Sequence, residues 1–263
     1  MPNPANRTDL AVTVGPLVRS GRVSVRRALE AIVVARITGV QLDATLAGTR
    51  PRELDRRARQ DLLALVRRTG LSLGGLDCFV PTAHLTAGPD LDRAVAALVA
   101  AVTLAADLGR TCLSFALPTL DEAPRDALDA VLEAADAHAV PLALHAEHDL
   151  DALRRLVDSI GSPTVRVGVD AASCLIADRE ITATATADIG SLRLADARHD
   201  RDRQWQRCAL GDGELDIPAA RIAAELTPRD GRPVVLDTSR VEHPAAAMRE
   251  AVAAWQAHAP QLP

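Results

Sequence analysis

The sequence predicts a single-domain (β/α)8 barrel, on three observations. Short apolar strand-like runs alternate with amphipathic helix-like runs from one end of the chain to the other. Eight such strands fit into 263 residues, a normal length for this architecture. The stretch after the first strand, VTVGPLVRSG, lacks the G-x-G-x-x-G turn that a doubly wound open sheet usually carries there.

The elements follow in order. LAVTV (10–14) is a β-rich run. Ser24 opens a helical stretch with Val25, Leu29, Ile32 and Ala35 on one face, stopped by Gly39. GVQLDA (39–44) is strand-like. Pro51 starts a helix carrying Leu54, Ala58, Leu62 and Val66, and Gly70 ends it. LSLGGLDC (71–78) is the third strand. Asp90 is placed to cap a helix from Leu91 to Leu108, closed by Gly109. TCLSFA (111–116) follows, then a helix from about Pro124 to His138 and the strand PLALH (141–145). Asp149 is placed to cap Leu150 to Ile160, which ends at Gly161. VRVGVD (165–170) and SLRLA (191–195) are the sixth and seventh strands. Asp216 is placed to cap a helix through Leu226, and PVVLD (233–237) is the eighth strand. The last helix carries Met248, Val252 and Trp255 at helical spacing. Strands this short and apolar suit a parallel sheet buried on both faces.

Composition narrows the function classes. The formal charge is −5 with both signs mixed along the chain, which argues against a general nucleic-acid or anionic-membrane surface. The N-terminus, MPNPANRTDL, has no apolar signal core, and no apolar stretch is long enough to span a bilayer. Cys78, Cys112, Cys174 and Cys208 are widely spaced, which reads as reduced thiols in a cytoplasmic protein. The expected partner is a small molecule. Outer barrel helices are the surfaces a homo-oligomer would use, and nothing in the sequence selects one.

A barrel builds its active site at the carboxyl ends of its strands. Those ends supply Gln41 and Asp43, Asp77, His145 and Glu147, Asp170, Arg193 and Asp196, and Asp237. Any one of them alone reads as a cap or a solvated residue. That plain reading suits Glu147, His148 and Asp196, whereas His145, Asp170, Arg193 and Asp237 together read as a functional cleft. In LALHAEHD (142–149), strand alternation turns His145 toward the mouth and leaves Asp149 as a helix cap.

The stretches GVQLDA, LAADLGR, VGVDAASCLI, GDGELDIPAA and PVVLDTSRVEHP resemble the sugar phosphate isomerase/epimerase family of xylose-isomerase-like barrels, over about residues 39–255. The resemblance implies the same (β/α)8 fold. It also implies a divalent-metal site formed by Glu, Asp, His and Glu at the ends of strands five to eight. Those positions fall on His145, Asp170, Arg193 and Asp237, so only Asp170 keeps its identity. Gln41 likewise stands where many members have Glu. An Arg at roughly 5 Å from a divalent ion is repelled by about 7 kcal/mol at an effective dielectric of 20, and Arg does not deprotonate. No cofactor is therefore expected. A remodelled divalent site (Zn, Mn or Mg) on His145, Asp170 and Asp237 is the alternative.

The resemblance implies proton transfer between adjacent carbons of a small polyhydroxylated substrate: a sugar, sugar phosphate or related hydroxy-carbonyl compound. Arg193 holds an oxyanion, carboxylate or phosphate; His145 titrates near neutral pH and carries the proton; Asp170 and Asp237 orient it or act as second base. A lyase or dehydratase shares the α-proton abstraction. A silent sugar-binding member, with Arg193 in a salt bridge to Asp170 or Asp237, is the third class. Candidate substrate contacts are Gln41, Asp43 and Asp77, with His84 in the loop 81–90 and Trp205 in the Arg-rich loop 197–208. That charged run reads most simply as a solvated loop, and GDGELD (211–216) as the turn into the helix that follows it.

Overall fold

A computed structural model of the chain describes residues 8–118, 125–146, 149–184, 189–227 and 233–259. Eight parallel strands close into a barrel: β1 (Thr8–Thr13), β2 (Ile37–Asp43), β3 (Ser72–Asp77), β4 (Leu113–Leu117), β5 (Leu142–Ala146), β6 (Val165–Asp170), β7 (Ile189–Leu194) and, after an intervening hairpin, β10 (Val234–Leu236). β10 pairs with β7 on one side and with β1 on the other, which completes the ring. All eight expected strands are present.

The helices are α1 (Val14–Gly21), α2 (Val25–Val34), α3 (Arg56–Arg68), α4 (Leu91–Asp107), α5 (Arg125–His138), α6 (Leu150–Ile160), α7 (Ala171–Ile176), α8 (Ile181–Thr184), α9 (Ile217–Leu226) and α10 (Pro244–Ala257). Their apolar faces pack on the strands. Leu29, Ile32, Val66, Leu98, Val102, Leu153, Met248 and Trp255 are buried against the strand residues Val40, Leu42, Leu113 and Leu144 in one continuous core. Asp149 accepts from the Ala152 N–H at 2.8 Å and Asp216 from the Ala219 N–H at 3.0 Å, so both expected caps are made.

Several local expectations change. α1 follows β1 without a loop, because Val14 and Leu17 bury one face against the barrel. α2 ends at Val34, where Arg36 takes φ +63°, and Gly39 lies inside β2. Pro51 opens only a 3-10 turn, and α3 begins after Asp55, whose carboxylate accepts from the Ala58 N–H at 2.8 Å. Asp90 does not cap α4; its carboxylate binds Arg93 at 2.7 Å instead. The run expected as a solvated loop forms an antiparallel hairpin, β8 (Asp196–His199) and β9 (Trp205–Cys208). Among the described residues no helix is long and apolar enough to cross a membrane.

The hairpin and GDGELD are built around one buried carboxylate. Asp196 accepts from the N–H groups of Ala197, Gly211, Gly213 and Leu215 at 2.8–3.1 Å. A Cβ at position 213 would collide with this carboxylate, so the turn needs glycine there. Asp196 is thus more than a solvated strand end: it fixes the base of the hairpin.

Candidate active site

The barrel interior is polar in its upper half. Thr13 donates to Gln41 at 3.1 Å, and Gln41 donates to Ser114 at 3.5 Å, all three buried. Above them a cleft of about 560 Å3, counting its open mouth, is lined by Asp77, His145, Asp170, Arg193, Arg207 and Asp237 together with smaller and apolar neighbours. The four residues expected to carry the chemistry, His145, Asp170, Arg193 and Asp237, all line it. Glu147 and His148 lie outside the described residues.

Two arginine–aspartate pairs dominate. Arg193 of β7 donates to Asp77 of β3 at 2.5 Å, across the barrel rather than to its ladder neighbour Asp170 or to Asp237, the two partners expected for a salt bridge. Arg207 of β9 reaches back into the barrel and donates to Asp170 at 2.9 Å and to the Ser173 hydroxyl at 2.7 Å. The other oxygen of Asp170 accepts from the Ser173 N–H at 2.8 Å and caps α7. One oxygen of Asp237 accepts from the Ser239 N–H at 2.8 Å.

Burial sets the charges. It raises the Asp77 carboxyl to about 6, against the pull of Arg193 and with the help of like charges on Asp43 and Asp237. Arg193 is itself buried, and Asp77, Asp237 and Asp170 hold it charged. His145 is corrected: it does not titrate near neutral pH. Burial first, then the charges of Arg193 and Arg207, drive it well below the usual imidazole range, so it is neutral.

His145 is buried where it lines the cleft. Its Nε2 contacts the Ser191 hydroxyl of β7 at 2.9 Å, with the ring crossing β6 at Gly168. A Cβ at position 168 would occupy the space of the ring, so only glycine allows this crossing. His145 Nδ1 and Arg193 Nε are buried with no hydrogen-bond partner.

Of the expected substrate contacts, Asp77 alone lines the cleft. Asp43 is closed off: one oxygen binds Arg19 at 2.8 Å and the other accepts from the Thr45 N–H and hydroxyl. Gln41 is consumed by Thr13 and Ser114. His84 sits outside the cleft, 3.7 Å from Asp90. Trp205 stacks on His199, with ring centroids 3.8 Å apart, on the hairpin.

The divalent alternative does not fit. Among the described residues no three His, Cys, Asp or Glu side chains gather into a group able to hold a metal ion. Asp170 is saturated by Arg207 and the α7 cap, His145 is turned to Ser191, and the Arg193 guanidinium stands among Asp77, Asp170 and Asp237. His145, Asp170 and Asp237 are therefore not arranged as a metal triad.

Sequence reasoning missed Arg207, Ser173, Phe79, Ser239 and Arg240, all on the cleft wall. Ser173, three residues after Asp170, carried a capping signal. Arg207 carried none, because its role depends on the hairpin. The four cysteines are buried and none forms a disulfide.

Comparison with known proteins agrees with this architecture. The family model of the xylose isomerase-like TIM barrel matches residues 30–258. Among solved structures, D-psicose 3-epimerase from Clostridium cellulolyticum H10, crystallised with D-tagatose, superposes with a TM-score of 0.68 at 13% identity, covering 95% of this chain and 98% of that one. A probable 3-DHS dehydratase from Bacillus anthracis superposes at 0.70 and 11% identity, over 95% and 99%. A xylose isomerase-like protein from Mycobacterium smegmatis, in complex with magnesium, gives 0.66 at 13% identity, over 98% and 100%. No curated protein matches the sequence. With its closed eight-stranded barrel and a family match over most of its length, the chain belongs to the xylose isomerase-like TIM barrel family.

Proposed function

We propose that the protein moves a proton between adjacent carbons of a small polyhydroxylated carbonyl compound, as an isomerase or epimerase, and that it does so without a divalent metal. The observation that carries this is a buried guanidinium with an unused donor, Arg193 Nε–H, paired with a carboxyl raised to about 6. A substrate carbonyl oxygen accepts from Arg193. As the α-proton leaves, negative charge grows on that oxygen, and the fixed guanidinium binds it more tightly than it binds the ketone. Asp77, largely ionised at pH 7 and close to it in pKa, takes the proton. Asp237 is the second acid or base, and Asp170, held by Arg207, shapes the wall between them. Neutral His145, held by Ser191, is a fixed part of the cleft wall, in place of the proton-carrying role expected from sequence.

Two other readings have support. The dehydratase among the structural neighbours favours a lyase using the same proton abstraction. The mutual pairing of Arg193 with Asp77 and of Arg207 with Asp170 favours a silent member that binds a sugar and does not turn it over.

The test is solvent exchange. The protein is incubated in D2O with a panel of ketoses and hydroxy acids, with and without EDTA, and followed by proton NMR. Deuterium is expected at the carbon next to the carbonyl, unaffected by chelator and lost in Arg193→Met. Activity that disappears with EDTA and returns with Mn would sink the metal-free mechanism. Binding without exchange in any panel member would leave the silent reading, and loss of water would identify the lyase.

A further inference from the structure

The cleft has two unlike walls. Phe79 and Val80 after β3, Ala116 of β4 and Ala146 of β5 put apolar groups on one side, beside Asp77, Cys78 and His145, on three strands that are consecutive in the barrel. The other side, from β6, β7, β9 and the segment after β10, carries Asp170, Ser173, Arg193, Arg207, Asp237 and Ser239. Phe79 is the largest apolar group on the first wall, and it is 52% exposed. That is unusual in this chain, which has only two Phe, two Trp and no Tyr. Phe115 and Trp255 are spent on the core at 1% and 6% exposure.

The ring is held in place. The Arg19 guanidinium lies over it, 5.6 Å from the centroid, and Arg19 is anchored by its ion pair with Asp43. Arg19 does not line the cleft, whereas Phe79 does. An aromatic ring that meets a cation and also lines a cleft is a surface for C–H groups. Asp77, two residues back along the chain, faces the same cleft.

We infer that Phe79 is a specificity residue, and that the substrate is a hydroxy-carbonyl compound with one deoxygenated or C–H-rich face that packs on it while its polar edge meets Arg193 and Asp77. This rests on the proton-transfer reading for the polar edge. A hydroxyl turned toward Phe79 loses water and gains no partner, so a substrate with hydroxyls all round is the poorer ligand.

The experiment compares D-tagatose with its 6-deoxy analogue, in the deuterium-exchange assay and in competition binding by ligand-observed NMR. Wild type is expected to favour the deoxy sugar by about tenfold, less than the roughly hundredfold of an enclosed apolar pocket, because Phe79 is half exposed. Phe79→Ala and Phe79→Ser are expected to bring the ratio to within about twofold, and Phe79→Leu to keep part of it. The ratio is read on a single preparation, so partial unfolding of a variant does not move it. A binding ratio that depends on Phe79 without any exchange would keep the platform and defeat the proton-transfer reading. Exchange with a ratio indifferent to Phe79, or no wild-type preference, would overturn the platform. Failure of both sugars to bind at millimolar concentration would overturn both.

Discussion

Asp77→Asn should make the protein more stable and less active. The carboxyl lies at about 6 in the folded protein and 3.8 when free, so the folded state binds the extra proton between those values. Its ionisation is therefore a burden: stability from this group is full below about pH 4 and is lost as pH rises toward 6. The burden grows from about 2 kcal/mol at pH 5 to about 3 kcal/mol at pH 8. Removing one partner of a buried ion pair usually costs about 3–5 kcal/mol, because it strands the other charge. Here Arg193 is not stranded, since Asp237 and Asp170 also hold it. Asparagine keeps an acceptor for the guanidinium and discards the unfavourable charge. Urea unfolding of wild type and variant, followed by circular dichroism from pH 5 to 8, measures the difference. The comparison cancels the opposite slope of His145, whose depressed pKa removes stability as pH falls below 6.5. The variant should gain stability, increasingly so toward pH 8, while exchange activity falls by about 10²–10⁴. A variant less stable than wild type at pH 8, or a difference that ignores pH, would refute the reasoning.

Three further outcomes follow from the geometry. Gly168→Ala drives a methyl group into the space of the His145 ring and should cost about 1–3 kcal/mol in thermal or urea unfolding; a melting temperature equal to wild type would mean the ring does not cross β6 there. Arg207→Met releases Asp170 and Ser173 from the hairpin, at a cost of about 3 kcal/mol. Limited proteolysis should then cut at residues 200–204 faster, and an unchanged cleavage rate would show that Arg207 does not anchor the hairpin. Asp196→Ala strands four backbone N–H donors and should cost about 3 kcal/mol or more in urea unfolding; a loss under about 1 kcal/mol would show that water replaces the carboxylate.

The barrel was legible because its signals are local. Each strand is an apolar run with both faces buried, and caps such as Asp149 and Asp216 announce themselves by spacing. The cleft was legible in part for the same reason: residues at strand ends share one rim whatever the loops do, which placed His145, Asp170, Arg193 and Asp237 together. What failed was pairing. Nothing in SLRLA says that Arg193 reaches across to Asp77 instead of to Asp170 beside it. That choice depends on Arg207, which already occupies Asp170 from the second strand of the hairpin. Asp43 illustrates the converse. It looks like Asp77 in sequence, at the matching position of the neighbouring strand, yet Arg19 from α1 closes it off. A helix absent from the sequence reading thus decided which acid was available.

The departures at positions 145 and 193 belong together physically. A guanidinium is large, and it needs counter-charge and room near the barrel axis. Counter-charge comes from Asp77, Asp170 and Asp237. Room depends on His145, which on a strand with an ordinary side chain at position 168 would have to stand upright in the same space. Glycine lets the ring lean across β6 to the Ser191 hydroxyl. Neutrality follows from the same move, because a ring buried beside two arginines does not hold a proton. On this account Gly168, His145, Ser191 and Arg193 form one unit. Restoring a carboxylate at 145 by itself, as in His145→Glu, should not give a working site: it removes the Ser191 contact while Arg207 still binds Asp170. In Mn titration calorimetry of His145→Glu, about one ion bound per chain with micromolar affinity would refute this coupling, and no measurable heat is the expected result.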